Sequence, residues 1–429
     1  MSSSKEQLAN LKTTPQAAAS PPRPLESLRG PSGGNALDRV IVKRLLATLG
    51  EPAFDFELWT GERIESGAAH KVATLRIADR ATLLGLVRNP DIEFGDGYSE
   101  GRIEVDGDLV RFLEALYHGV MHGNLRPSPV RQLRQRLSRA RSNTLDRSRG
   151  NVHHHYDIGN AFYELWLGDT MAYTCAYYPT PAADLETAQI GKMDHVCRKL
   201  RLRAGESVVE AGCGWGSLAL HMARHYGVKV RAFNISREQI AYARERAVLA
   251  GLDGRVEYVE DDYRNITGRY DAFVSVGMLE HVGVADYREL GRIARDAIGP
   301  LGRGLIHSIG RNRPKPLNPW IVKRIFPGAY PPSIREMMQI FEPWNLSVLD
   351  VENIRLHYAR TLEHWLERYE AACDRVREMF DERFVRMWRL YLAGSTASFR
   401  VGELQLFQVV FAPSSNNEIP WTRAHVYGA

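Results

Sequence analysis

Cysteine is scarce. The chain has four, Cys175, Cys197, Cys213 and Cys373, in 429 residues and at no paired spacing. That argues against a disulfide framework or a zinc cluster, and a reduced, cytoplasmic setting is the expectation. No run approaches the ~18 consecutive apolar residues of a membrane span. The first residues, MSSSKEQLANLKTTPQAAASPPRPL, lack the apolar core of a secretory signal. Neither charge sign dominates: 56 basic against 51 acidic residues give +5, so no global polyanion-binding character follows. There is no internal repeat and no nucleic-acid-reading module. His153, His154 and His155 are adjacent, so they cannot all face one ion. No carboxylate–histidine spacing supports them, and no metal site is expected.

What remains is a globular composition, 44% hydrophobic and 25% charged, at a length comfortable for two domains. Residues 1–37, rich in Ser, Ala, Pro and Gly, read as disordered. Residues 38–125 read as a small α/β domain for lipid, membrane or dimer contact. FDFELWTG and HKVATLRIAD alternate like strands, and GDGYSEGRIEVDGDLVRFLEALYHGV reads as turn, strand, turn and helix. Residues 126–150 form a basic connector with eight arginines and one acid, Asp146. It is either a solvated linker or a contact for an anionic membrane. From 151 to 412 strand-length apolar runs alternate with helical patterns, which predicts a doubly wound parallel sheet. A helical region is expected at 361–392, and 413–429 reads as a polar tail.

The sharpest local signal is Val208–Gly216, VVEAGCGWG, a strand running into a glycine turn ahead of a helix near Ser217. Glycine permits positive φ and close backbone approach to a ligand. Its spacing is G-x-G-x-G, and no phosphate-cradling lysine follows. S-adenosylmethionine (SAM) is therefore favoured over NAD. Asn234 and Gln239, after the next strand, can hydrogen-bond a ribose without charge. Asp261, Asp262 and Tyr263 stand after the third strand, where adenine lies in many SAM enzymes.

Six blocks, HHYDIGN (154–160), YTCAY (173–177), EAGCGWG (210–216), GMLEHVG (277–283), HSIG (307–310) and HYARTL (357–362), resemble the cyclopropane fatty acid synthase and mycolic acid cyclopropane synthase family in order and spacing. The resemblance covers 38–412 and implies a class I SAM-dependent methyltransferase, Rossmann-like, with a smaller N-terminal α/β domain. It implies that Tyr156, Tyr173 and Thr174 close over SAM and that Gly212, Gly214 and Gly216 face its methionine part. Asn234, Ile235 and Gln239 would take the ribose, with Asp262 and Tyr263 completing the cofactor site. Cys175, Glu280, His307, Ile309 and Tyr358 match the positions that hold a bicarbonate ion. The substrate implied is an unsaturated phospholipid acyl chain. The protein would then work peripherally at the inner membrane surface, and family analogy suggests a homodimer.

An isolated alkene needs no base before it attacks a sulfonium methyl. The cation formed must then lose a proton in a pocket that excludes water. Glu280 is expected to accept the O–H of bicarbonate. The faces of Tyr177, Trp320 and Phe326 are candidates to stabilise the cation. The stretch 319–333, with Trp320, Ile321, Ile325, Phe326 and Tyr330 among Lys323 and Arg324, suits an acyl entrance at a membrane. Ring closure is the expected outcome, and methyl or methylene branching of the same chain is the alternative. A methyltransferase of small amines or hydroxyls lacks a distinct activating base here. A silent lipid binder would not need every one of these positions.

Overall fold

A computed structural model describes residues 36–123 and 158–427. Of the segment 1–37, only its last two residues fall inside that range, and they open the helix Ala36–Thr48. The connector 126–150, the histidine triplet and Tyr156 lie outside the described residues.

The first sheet has four strands, β1 (Phe54–Glu57), β2 (Arg63–Ile64), β3 (Ala73–Ile77) and β4 (Ile103–Gly107), in the order β2-β1-β3-β4. β1 and β3 run parallel, and the outer pairs are antiparallel. Helices Arg80–Arg88 and Leu109–His122 start on aspartates, Asp79 and Asp108, whose side chains accept backbone N–H groups of the first turn. The expected turn at Gly95–Ser99 is instead the end of a helix, Pro90–Ser99. Two glycines cost that helix roughly 1 kcal/mol each in propensity. Packing overrides the cost: a Cβ at Gly95 would strike the Trp320 indole, and one at Gly97 would lie 2.8 Å from Ile103 Cδ1.

The second sheet contains β5 (Ser207–Ala211), β6 (Lys229–Asn234), β7 (Val256–Glu260), β8 (Tyr270–Val276), β9 (Ile298–Gly310), β10 (Leu346–Asn353) and β11 (Gln405–Pro413). Their order is β10-β11-β9-β8-β5-β6-β7. β9 through β7 are mutually parallel, and β11 inserts antiparallel between β9 and β10. This is the doubly wound α/β architecture of class I SAM methyltransferases. The chain winds β5–β6–β7 one way, then returns to β8 on the other flank of β5. That reversal opens a crevice at the carboxyl ends of β5 and β8, where such sheets bind ligands. β10 carried no sequence signal, because as an edge strand it is mostly half-buried.

The expected helical region 361–392 is three helices, Arg355–Ala371, Cys373–Met379 and Glu382–Arg400, the last restarted by Asp381 as N-cap. The expected polar tail folds back: Asn416 is buried, and the helix Ala424–Tyr427 docks on Leu185–Lys199 through buried Val426. Among the described residues, no helix is long and apolar enough to cross a membrane. One buried cluster spans both sheets and includes Phe54, Ile103, Phe112, Trp320, Tyr358, Trp365 and Trp388.

Candidate active site

The glycine turn leaves β5 with φ of +86° at Gly212, +54° at Gly214 and +83° at Gly216. Gly212 and Cys213 N–H groups donate to Phe233 O at 2.9 and 3.0 Å, which ties the turn to the end of β6. The cleft beyond is lined by Tyr173, Thr174, Gly212, Gly214, Asn234, Ile235, Gln239, Asp262 and Tyr263, all expected there. Gly216 does not line it. Its role is steric and conformational: it precedes the helix Ser217–Tyr226, and the Tyr258 hydroxyl occupies the place of its missing Cβ.

Asn234 Nδ2 donates to Gly214 O at 3.2 Å and to Gln239 Oε1 at 2.8 Å, so the pair is set before any ligand arrives. Asp262 is buried and accepts the Arg264 N–H at 2.9 Å. Tyr263 is buried, lines the cleft, and has the Arg264 guanidinium 5.2 Å over its ring.

A strap, residues 171–178, crosses the cleft. Gln189 Nε2 donates to Ala172 O at 3.3 Å and Thr174 O at 3.0 Å, and the Tyr173 and Tyr391 hydroxyls meet at 2.8 Å. The Thr361 hydroxyl accepts Ala176 N–H at 3.0 Å. At Gly212 an added Cβ would stand 2.8 Å from Met278 Cβ, at a φ that L residues resist. Gly212→Ala is therefore expected to weaken binding of S-adenosylhomocysteine (SAH) by about tenfold or more, from roughly 1–3 kcal/mol of strain. Calorimetric titration checks this; unchanged affinity would rule out a tight cradle.

Beside the cleft, Glu280 sits on the short turn Leu279–His281 after β8 and is buried. Its Oε1 accepts the Ile309 N–H at 2.5 Å, while Oε2 has no hydrogen-bond partner among the described residues. Burial pushes the carboxyl up to about 7. His307 lies two residues back on β9 and is also buried. The Gln408 amide donates to its Nδ1 at 3.1 Å, leaving the ring proton on Nε2, which has no partner among the described residues. Burial, reinforced by the charge of Lys192, holds this imidazole well below its usual pKa, hence neutral.

Tyr358, on helix Arg355–Ala371, packs with Ile309 and Cys175 in one apolar cluster. Burial keeps the Cys175 thiol protonated, so it is no nucleophile. Cys213 is likewise held protonated by burial.

Two of the three rings expected to face the cation do not. Tyr177 is sandwiched between the imidazoles of His195 and His357, at 4.0 and 4.6 Å with interplanar angles of 14° and 8°, so both of its faces are taken. Trp320 is buried against Gly95 and donates from Nε1 to Asp96 at 3.1 Å. Phe326 remains close, 6.0 Å from His281 and 5.5 Å from Tyr391. The stretch 319–333 accordingly turns Trp320 and Ile325 inward as a bridge between the two sheets.

Lys192, Glu210, Trp215, Met278 and His281 also line the cleft and were not anticipated there. Burial takes His281 down to about 4, so it is neutral. A signal for Lys192 existed: it falls on the helix face of Leu185, Ala188, Gln189, Met193 and Val196, which is buried, where a lysine is costly.

Residues 143–409 match the family model described as mycolic acid cyclopropane synthetase, and 41–122 match a domain of unknown function (DUF7884). A probable fatty acid methyltransferase of Pseudomonas putida is 34% identical, over 86% of this chain and 95% of its own length. The cyclopropane-fatty-acyl-phospholipid synthase of Escherichia coli K12 is 40% identical, over 61% of this chain and 68% of its own. A solved structure of the mycolic acid cyclopropane synthase CmaA1 with SAH and CTAB superposes with a TM-score of 0.59 at 27% identity, covering 61% of this chain and 97% of that one.

Proposed function

The chain belongs to the mycolic acid cyclopropane synthetase family of SAM-dependent methyltransferases, and from that premise we propose that it methylates the double bond of an unsaturated phospholipid acyl chain and closes a cyclopropane ring. The observation that supports this most is the pair of unmatched buried atoms beside the cleft, Glu280 Oε2 and His307 Nε2. One acceptor and one donor, both dry, suit a small ion that carries an O–H and anionic oxygens; bicarbonate has that donor set. When bound, SAM supplies an electrophilic methyl and bicarbonate a base for the proton that must leave the transferred carbon.

The chain's own residues do the rest. Glu280 takes the O–H and fixes which oxygen faces the substrate. Neutral His307 donates from Nε2 without adding a cation beside a developing carbocation. Tyr358 and Ile309 complete the wall, and Cys175 fills space as a protonated thiol. Phe326 and Tyr391 exclude water and present ring edges and faces to the cation. The arginines of 126–150 provide attraction to an anionic bilayer.

A second reading, methyl or methylene branching, is favoured by the name of the Pseudomonas putida relative, a probable fatty acid methyltransferase. Both are resolved by lipid mass spectrometry and proton NMR after expression in a host without this activity. Ring closure adds one CH2 and removes the olefinic protons. Branching adds the same carbon but keeps an unsaturation or needs a further reduction. No SAM-dependent change in any acyl chain would refute both.

A further inference from the structure

The cofactor cleft holds a buried ammonium and a buried carboxyl that are not hydrogen-bonded to each other. Lys192 is 2% exposed, and its ammonium makes one hydrogen bond, donated to Thr174 Oγ1 at 2.8 Å. Glu210, at the end of β5, is also 2% exposed, and its Oε2 has no partner among the described residues. Both line the cleft with Thr174 and Gly212. Isolated buried charges cost several kcal/mol each unless something pairs with them. A site that keeps an ammonium and a carboxyl apart fits a ligand that brings an anionic and a cationic group.

The sheet order says which part of the cofactor that is. Asn234, Gln239, Asp262 and Tyr263 stand beyond β6 and β7, on one flank of the glycine turn. Glu210 lies near the end of β5, Lys192 on the helix Leu185–Lys199 and Thr174 on the strap, and all three line the cleft. With the nucleoside on the β6–β7 flank, the amino-acid end of SAM, an ammonium and a carboxylate, falls at the latter group. A threonine hydroxyl has one proton and two lone pairs. With Lys192 donating to the oxygen, the Thr174 proton is left to be given into the cleft.

We propose that Lys192 is a positioning residue for the amino-acid end of the cofactor: it turns the Thr174 hydroxyl toward the α-carboxylate and leaves the Glu210 carboxyl, in the same cleft, for the α-ammonium. The inference rests on SAM being the methyl donor. The electrostatics agree with it. Burial pulls Lys192 down to about 8 while the Cys175 and Glu210 charges push it up, and burial lifts Glu210 to about 8 against the pull of Lys192. The Glu210 carboxyl is thus mostly protonated at neutral pH, and an ammonium arriving beside it would favour its ionised form.

The test compares two ligands by calorimetry on the full chain: SAH, and 5′-methylthioadenosine, which has the same nucleoside and sulfur but no amino-acid end. Lys192→Met is expected to weaken SAH by about tenfold or more and methylthioadenosine by less than about twofold. It raises KM for SAM with kcat little changed. Thr174→Val, nearly isosteric, shows the same ligand selectivity, Thr174→Ser restores SAH binding, and the double variant loses less than the sum of the two. Equal losses for both ligands in Lys192→Met and Thr174→Val would mean that Lys192 merely ties down the strap, and would overturn the proposal. So would unchanged SAH affinity. Wild-type protein that binds neither ligand would instead sink the cofactor reading itself.

Discussion

Replacing Glu280 with glutamine lowers methyl transfer by about 10²–10³-fold, while SAH affinity stays within about twofold. The asymmetry follows from where the side chain points. Glu280 is absent from the lining of the cofactor cleft, and its Oε1 accepts the Ile309 amide of the neighbouring strand. Glutamine keeps an oxygen for that amide, so the fold and the cleft survive. What it loses is the charge, and with it the ability to accept a proton at the second oxygen. The carboxyl titrates near 7 because burial outweighs the backbone and Ser308 donors that favour its ionised form. The sign follows: the ionised form, the one able to accept, predominates above about 7. At fixed bicarbonate concentration the wild-type rate should therefore climb through that range and level off above it. The glutamine variant should lack that limb. Steady-state rates with calorimetry on the same samples check both halves. Collapse of SAH affinity, or persistence of the limb, would show that Glu280 is a cofactor contact or a bystander.

Much of this site could be read from the chain before any coordinates. The turn at 212–216 announces itself because strand, turn and helix are consecutive and each is specified locally. The alternation from 207 to 310 needs only the short range over which apolar periods are written. What could not be read depends on partners distant in sequence. Gly95 looks like a turn residue until Trp320 is found filling the space where its side chain would be. Tyr177 looks like a free aromatic face until His195 and His357 cover it from both sides. Lys192 is a stripe violation whose meaning appears only when β5 brings Glu210 into the same cleft. Strand β10 is half-exposed at an edge and pairs with β11, more than fifty residues later, so its pattern carries no strong period.

Removing residues 1–123 should leave no cooperatively folded enzyme, because the first sheet is part of the wall behind the reaction. Helix Glu382–Arg400 packs against helices Pro90–Ser99 and Leu109–His122 on one side and against Arg355–Ala371, which carries Tyr358, on the other. Polar contacts lock the joint. Arg386 donates to Tyr98 O at 2.6 Å and Ile103 O at 3.1 Å, and Arg324 grips Asp96 at 2.9 and 2.8 Å. Trp320 and Trp388 are 4% and 1% exposed in a cluster that also holds Tyr98, Ile103, Phe112 and Leu113. Uncovering large side chains costs roughly 1.5–3 kcal/mol apiece, against a net stability of about 5–15 kcal/mol for a folded protein. Losing the partners of even a handful consumes that margin. The shortened chain should therefore show no sharp thermal transition by calorimetry and should expose apolar surface to dye. A milder variant separates packing from mere length: Gly95→Ala, which pushes the Trp320 indole, should cost about 1–3 kcal/mol and lower Tm while leaving the cleft residues unchanged in sequence. If the shortened chain instead melted cooperatively and kept its turnover, the first sheet would be a passenger, and Tyr358 would owe its placement to its own helix alone.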